Sequence, residues 1–121
     1  MRIIPICIKQ ISMKTQIALV SLAFVAFNAF SATEEFTLTI KNHAFEPKEL
    51  KVPAGKKIKI VVINDDATPA EFESKPLGRE KVIPGKSKAI VNLGPLKPGR
   101  YGFVEEYHET EAAAQGTIVV E

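Results

Sequence analysis

Sulfur is nearly absent from this sequence, and tryptophan is absent altogether. The single cysteine is Cys7, and the two methionines are Met1 and Met13. Beyond position 13 the chain therefore has no thiol and no thioether. That part of the chain can form no internal disulfide, and it cannot build a metal site on a thiolate.

Acidic residues are missing from the first 33 positions, since the first acid is Glu34. Arg2, Lys9 and Lys14 precede an uncharged, largely apolar run over 17–30, and small residues follow. This layout predicts a secretory signal peptide over 1–31, with cleavage near Ser31/Ala32 and a single domain over 32–121. The run is short for a membrane span, although an uncleaved anchor is the alternative. We expect an exported protein that contacts the membrane only through this leader.

Without the leader, the excess of basic charge disappears. Three of the 16 basic residues lie in 1–31 and none of the 14 acidic residues does, so 13 basic and 14 acidic side chains remain, a formal charge of −1. The chain as a whole carries +2. A domain with this balance has no electrostatic footprint for nucleic acid, and we expect none as a partner.

The rest of the chain alternates short apolar segments with glycine and proline turns. A segment such as Phe36–Ile40, in which apolar residues alternate with threonine, is typical of a half-buried strand. We expect strands at 36–40, 49–52, 57–63, 70–74, 89–93, 101–106 and 117–120, and we expect 57–63 to be a central strand buried on both sides. About seven short strands predict an all-β fold, a Greek-key antiparallel β-sandwich of two sheets.

Residues near several predicted strand ends could bind a metal. Glu105 and His108 lie three residues apart where the strand that contains Tyr101 and Phe103 ends. A carboxylate and an imidazole in this arrangement could form half of a metal site, or a solvated acidic turn with an incidental histidine. Glu106 falls on the opposite face of a regular strand and is a weaker candidate.

Three further acids could join Glu105. Glu71 and Glu73 share one face of a strand, and Glu80 follows in the next loop. Carboxylates that converge, as Glu71, Glu73, Glu80 and Glu105 would, repel one another unless a cation neutralises them, which favours a metal site. Arg79 and Lys81 could instead neutralise them in a surface ion-pair network. His43, at the end of the first strand, is either a further ligand or a polar residue at a strand end.

The order of these segments resembles the cupredoxin family. The resemblance rests on Pro-x-x-Leu-x-Val-Pro-Ala-Gly-Lys over 47–56, the strand that ends in Asn64-Asp65, and Pro-Gly-x-Tyr-x-Phe over 98–103. It implies that Glu105 takes the place of the copper-ligating cysteine and that His108 takes the place of a histidine ligand. Ala113 or Ala114 takes the place of the methionine, and Gly116 that of the glycine before the last strand. Glu71 and Glu73 lie where the other histidine ligand is expected. A blue-copper centre needs that thiolate, so electron transfer of this kind is excluded.

The run Glu-Phe-Glu over 71–73, followed by Arg-Glu-Lys over 79–81, is similar to cupredoxin-like domains of the EfeO type. That resemblance implies a periplasmic protein associated with a high-affinity iron permease and a carboxylate-rich site for copper or iron. It implies metal ligands at these positions: Glu71, Glu73, Glu80, Glu105, His108 and, as a possible addition, His43.

These observations predict a periplasmic metal-binding protein that is accessory to iron or copper uptake. An inner-membrane iron permease or its periplasmic partners are the expected protein contacts. The alternative is a metal-free scaffold that docks a protein partner through its acidic end. The sequence shows no nucleophile-and-base pair, and we expect no enzymatic activity.

Overall fold

The computed structural model describes residues 32–121. The predicted secretory leader over 1–31 lies outside this range. Within the described range, no helix is long and apolar enough to cross a membrane.

Residues 32–121 form nine strands and two short 3-10 turns. The strands are β1 (Glu34–Lys41), β2 (Ala44–Glu46), β3 (Glu49–Val52), β4 (Ile58–Asn64), β5 (Ala70–Ser74), β6 (Arg79–Ile83), β7 (Ser87–Leu93), β8 (Gly99–Glu105) and β9 (Gln115–Val120). The turns cover Glu106–His108 and Ala112–Ala114, between β8 and β9. All seven predicted strands are present, and the predicted β-sandwich is confirmed.

The strands form two sheets, one in the order β2-β1-β4-β7 and the other in the order β3-β9-β8-β5-β6. Both sheets are mixed, whereas the sequence analysis predicted purely antiparallel ones. β1 runs parallel to β4 with Leu38 opposite Val62, and β3 runs parallel to β9 with Leu50 opposite Ile118. These partners are distant in sequence, and the chain reaches each through other strands. Local patterning therefore carries no signal for their direction.

The core lies between the sheets and is built by strict alternation of side chains. Along β4, every second residue from Ile58 to Asn64 is buried, and the residues between them are only half-buried. The outer face of this strand is thus partly exposed, although its apolar sequence predicted burial on both sides. Phe45, Phe72 and Phe103 meet at the centre, with ring centroids 4.7 Å apart for Phe45 and Phe103 and 5.2 Å apart for Phe72 and Phe103.

Two strands escaped prediction, β2 and β6, and both lie at sheet edges. β2 has only three residues, too few to show alternation. Four of the five residues of β6 are exposed, and only Ile83 is buried. An edge strand with little buried surface needs few apolar residues, so its sequence resembles that of a loop. The pairing of β6 with β5 places Glu80 opposite Glu73.

Candidate metal site

Glu105 ends β8 as a fully buried carboxylate, with 0% of its surface exposed. Phe103, two residues earlier, is also buried, so Glu105 continues the inward face of the strand as the alternation predicted. Burial of a carboxylate is costly unless donors surround it. Its Oε1 accepts the backbone N–H of Glu71 at 2.9 Å and that of Tyr107 at 3.2 Å. Its Oε2 contacts Nδ1 of His108.

His108 reaches Glu105 because the chain leaves the strand immediately after it. Glu105 caps the 3-10 turn Glu106–His108 through its bond from Tyr107. One tight turn brings the residue three positions later back over the strand end, as 3-10 geometry requires. The end of the strand at Glu105, one residue earlier than predicted, thus produces the carboxylate–imidazole pair.

His43 approaches the same point from the other sheet. It lies in the two-residue turn between β1 and β2, where Lys41 pairs with Ala44. Its ring stacks on that of His108, with ring centroids 3.6 Å apart and an angle of 17° between the planes. One ligand atom from each of His43, Glu105 and His108 lies within 4.8 Å of the others.

The trio of His43, Glu105 and His108 combines a buried anion with accessible imidazoles. The side chains of His43 and His108 are 37% and 29% exposed, whereas that of Glu105 is not exposed. An ion from solvent could therefore reach the two rings directly and find the carboxylate behind them.

Asp66 lies next to the trio, behind His43. Its carboxylate accepts the backbone N–H groups of Asn42 at 2.8 Å and His43 at 2.9 Å. Burial acts to raise the pKa of Asp66, but these two hydrogen bonds and the nearby charges of His43 and Lys86 outweigh it and leave the pKa lowered.

A second cluster, the outer acidic trio of Glu71, Glu80 and Glu106, occupies the opposite face of the five-stranded sheet, with ligand atoms also within 4.8 Å of one another. Desolvation is the largest cause that raises the pKa of Glu106, and the negative charges of Glu71, Glu73 and Glu80 raise it further. The pKa of Tyr107 is likewise raised, first by desolvation and then by the charge of Glu71.

The six predicted ligands therefore do not converge on one point. Glu105, His108 and His43 come together, whereas Glu71 and Glu80 join Glu106 in the outer acidic trio, and Glu73 belongs to neither group. Glu71 and Glu73 do share a face of β5, as predicted. Their side chains point away from the core while Glu105 points into it, so a single carboxylate-rich site is not what the fold forms.

Sequence reasoning gave too little weight to two residues. Glu106 is the weaker candidate of the sequence analysis because a regular strand turns it away from Glu105. It does face away from Glu105, at the start of the 3-10 turn, and there it joins Glu71 and Glu80. Asp66 does not figure among the predicted site residues. An Asn-Asp-Asp run is a signal for side chains that accept backbone N–H groups, and it could have drawn attention to Asp66.

Comparison with known proteins supports the cupredoxin resemblance. Residues 15–120 match a family model described as a cupredoxin-like domain. The chain is 41% identical over 86 residues to the uncharacterized protein RP394 of Rickettsia prowazekii (strain Madrid E), an alignment that covers 71% of this chain and 67% of the relative.

Solved structures with a similar fold include copper-binding proteins. Auracyanin A, a "blue" copper protein from Chloroflexus aurantiacus, gives a TM-score of 0.63 at 16% identity and covers 74% of this chain and 100% of its own. The Cu(I)-bound metal binding domain of the Cu(I) exporting ATPase CopA from Streptococcus pneumoniae D39 gives 0.60 at 13% identity, with 72% of this chain and 84% of that chain covered. At these identities, the likeness shows the fold.

The donor set of His43, Glu105 and His108 fits a metal ion of intermediate hardness. Imidazole and carboxylate ligands suit Cu(II), iron and zinc. The set lacks the thiolate that a blue-copper centre requires, because Glu105 stands at the position that the family resemblance assigns to cysteine.

Proposed function

The chain belongs to the cupredoxin-like domain family, and we propose that it is a metal-binding protein that holds a Cu(II) or iron ion between His43, Glu105 and His108. The observation that carries this proposal is the convergence of three ligand atoms within 4.8 Å of one another. The three side chains come from the β1–β2 turn, the end of β8 and the 3-10 turn after it.

The chemistry of the three side chains favours binding over electron transfer. Two imidazoles and one carboxylate would hold the ion and leave coordination positions for water. Among divalent ions, such ligands bind Cu(II) most strongly by intrinsic affinity. Without a thiolate the ion lacks the covalent path that suits rapid electron transfer. We propose that the protein carries the ion and does not catalyse a reaction on it.

We further propose that the ion is cargo of an iron or copper uptake system in the periplasm. The basic, acid-free and apolar leader supports export. The similarity to EfeO-type domains over 71–73 and 79–81 supports a link to an iron permease. The partial exposure of both histidines supports exchange of the ion with a partner, since a carrier must release what it binds.

The outer acidic trio supports a second candidate, a metal-free scaffold that docks a basic partner. Glu71, Glu80 and Glu106 lie together, and the pKa of Glu106 is raised, first by desolvation and then by the negative charges of Glu71, Glu73 and Glu80. Lysine or arginine side chains of a partner would relieve the repulsion among these charges.

Thermal melting with added ions tests the proposed function. The purified protein would be melted in Cu(II), Fe(III), Zn(II) and Mn(II), beside a His43→Gln/His108→Gln variant and a Glu71→Gln/Glu80→Gln variant. An ion that binds only the folded state at 100 times its Kd adds about 2.7 kcal/mol to the free energy of unfolding.

We expect Cu(II) or Fe(III) to raise the Tm of the wild-type protein and of the Glu71→Gln/Glu80→Gln variant, but not of the histidine variant. A rise in Tm that the wild-type protein and the histidine variant both show, but that is lost in the Glu71→Gln/Glu80→Gln variant, would place the site at the outer acidic trio. The absence of a shift with every ion would refute metal binding and favour the docking scaffold.

A further inference from the structure

His43 occupies a left-handed backbone conformation, which is uncommon for residues other than glycine. The φ angles of Asn42 and His43 are 51° and 59°, both in the left-handed region. A two-residue hairpin turn commonly requires such angles, and it is usually built from asparagine or aspartate followed by glycine. Asn42 suits the first position, but a histidine at the second is strained unless its surroundings hold it.

The carboxylate of Asp66 stabilises this conformation. Its Oδ1 accepts the N–H of Asn42 at 2.8 Å, and its Oδ2 accepts the N–H of His43 at 2.9 Å. One carboxylate thus bonds both N–H groups of the strained turn. The same Oδ2 lies 3.6 Å from Nδ1 of the His43 ring, too long for a hydrogen bond but close enough for electrostatic attraction.

Asp66 is itself anchored to the core. Its N–H donates to Oδ1 of Asn64 at 3.0 Å, and its carbonyl accepts the N–H of Lys86 at 2.8 Å. Asn64 is 1% exposed, and its Nδ2 donates to carbonyl oxygens including that of Thr68 at 2.8 Å. Short hydrogen bonds therefore connect the buried end of β4 to the backbone of His43.

From these contacts we propose that Asp66 is a positioning residue for the metal site and acts through His43. The proposal rests on the metal function proposed above. With Nδ1 turned toward Asp66, Nε2 is the His43 nitrogen left for the ion. A carboxylate beside the second nitrogen of a metal-binding histidine orients the ring and increases its strength as a ligand. Asp66 would do so by holding the backbone of the turn and by electrostatic attraction to Nδ1 across 3.6 Å.

The test compares Asp66→Asn with Asp65→Asn, which removes the same charge one residue earlier. An asparagine at position 66 places an NH₂ group, which is a donor, where one of the two carboxylate oxygens now accepts a backbone N–H. The Cu(II) affinity of each variant would be measured by competition with a chelator. The ring signals of His43 and His108 would be recorded by nitrogen NMR in metal-free protein.

We expect Asp66→Asn to weaken Cu(II) binding by about 10- to 100-fold and to shift the ring signals of His43, while Asp65→Asn changes neither by a comparable amount. Unchanged affinity, or weaker binding with unchanged His43 signals, would overturn the positioning role. If the wild-type protein binds no ion, the proposed function fails, while the His43 signals of Asp66→Asn still show whether Asp66 orients the ring.

Discussion

At the scale of single residues, Glu105 determines what kind of site this fold can form. It occupies the buried end of β8 with 0% exposure, and its two oxygens accept from two backbone N–H groups and meet one imidazole. A carboxylate here is a harder ligand than the thiolate that the cupredoxin resemblance implies, so a metal site at this position would select a different range of ions.

We expect Glu105→Gln to destabilise the protein although it removes a buried charge. The amide oxygen can replace Oε1, which accepts both backbone N–H groups, but the NH₂ group then faces Nδ1 of His108, where a carboxylate oxygen now lies. In the opposite orientation the two backbone N–H groups lose their acceptor. One buried donor left without a partner costs about 1–3 kcal/mol of the free energy of unfolding. Urea unfolding of metal-free protein measures the change.

Glu109→Gln is the matched control for Glu105→Gln, since Glu109 is exposed in the loop after the 3-10 turn. We expect its unfolding free energy to stay within about 0.5 kcal/mol of the wild-type value. If Glu105→Gln were as stable as this control, the network of donors around Glu105 would not support the fold as described.

Glu106 makes the stability of the protein dependent on pH. Desolvation, followed by the charges of Glu71, Glu73 and Glu80, raises its pKa above the ordinary value. The folded state therefore holds the proton more tightly than the unfolded state does. The contribution of this proton to the free energy of unfolding is fully present below the ordinary glutamate pKa of about 4.3. It is lost as pH rises through the raised pKa.

Glu106→Gln should remove this dependence. The free energy of unfolding of the variant minus that of the wild-type protein should increase as pH rises from about 3.5 toward 7. Urea unfolding in the presence of a chelator measures both values. Glu111→Gln removes the same charge from the exposed loop and should show no such gain. If the free energies of unfolding of Glu106→Gln and of the wild-type protein differ by the same amount across this pH range, Glu106 is not the source of the pH dependence.

At the scale of elements, the antiparallel pair of β8 and β9 supports the site. Phe103 of β8 lies opposite Gly116 of β9, and the Phe103 ring packs in the aromatic centre of the core. A Cβ at Gly116 would lie 2.3 Å from Cζ of Phe103 and 3.0 Å from the carbonyl oxygen of Lys48. Glycine is required here for space.

We therefore expect Gly116→Ala to cost about 1–3 kcal/mol, the usual effect of overpacking, as measured by guanidinium unfolding. The ring cannot move aside easily, because Phe45 and Phe72 pack against it. Gly102→Ala is the control on the neighbouring strand, where an added Cβ has nothing within 4 Å. Equal effects of the two substitutions would show that the Phe103 contact does not constrain position 116.

Sequence patterns predicted the strands that bury one face, and they missed strands with little buried surface. The alternating pattern of 36–40 and the Glu-Phe-Glu pattern of 71–73 placed their strands correctly. β6 was predicted as a loop because its exposed residues show no alternation. The parallel pairs β1–β4 and β3–β9 bring together residues distant in sequence, so no local pattern specifies their direction.

At the scale of the whole molecule, the sandwich separates the carboxylate of Glu105 from the other predicted acidic ligands, although the sequence analysis placed them in one site. Alternation turns Glu105 toward the core and Glu71 away from it, even though the N–H of Glu71 donates to Glu105. The residues with candidate metal chemistry could be identified from the sequence. Their grouping could not, because it depends on which side of a sheet each side chain faces and on the turn that brings His43 to His108.

The most direct test of the central claim is electron paramagnetic resonance of the protein loaded with one equivalent of Cu(II). We expect the signal of a copper ion with nitrogen and oxygen ligands, coupled to two imidazole nitrogens. The optical spectrum of the same sample should show no intense thiolate absorption. One nitrogen should be lost in His43→Gln and one in His108→Gln. A spectrum of free copper, or one that neither substitution alters, would contradict a site formed by His43, Glu105 and His108.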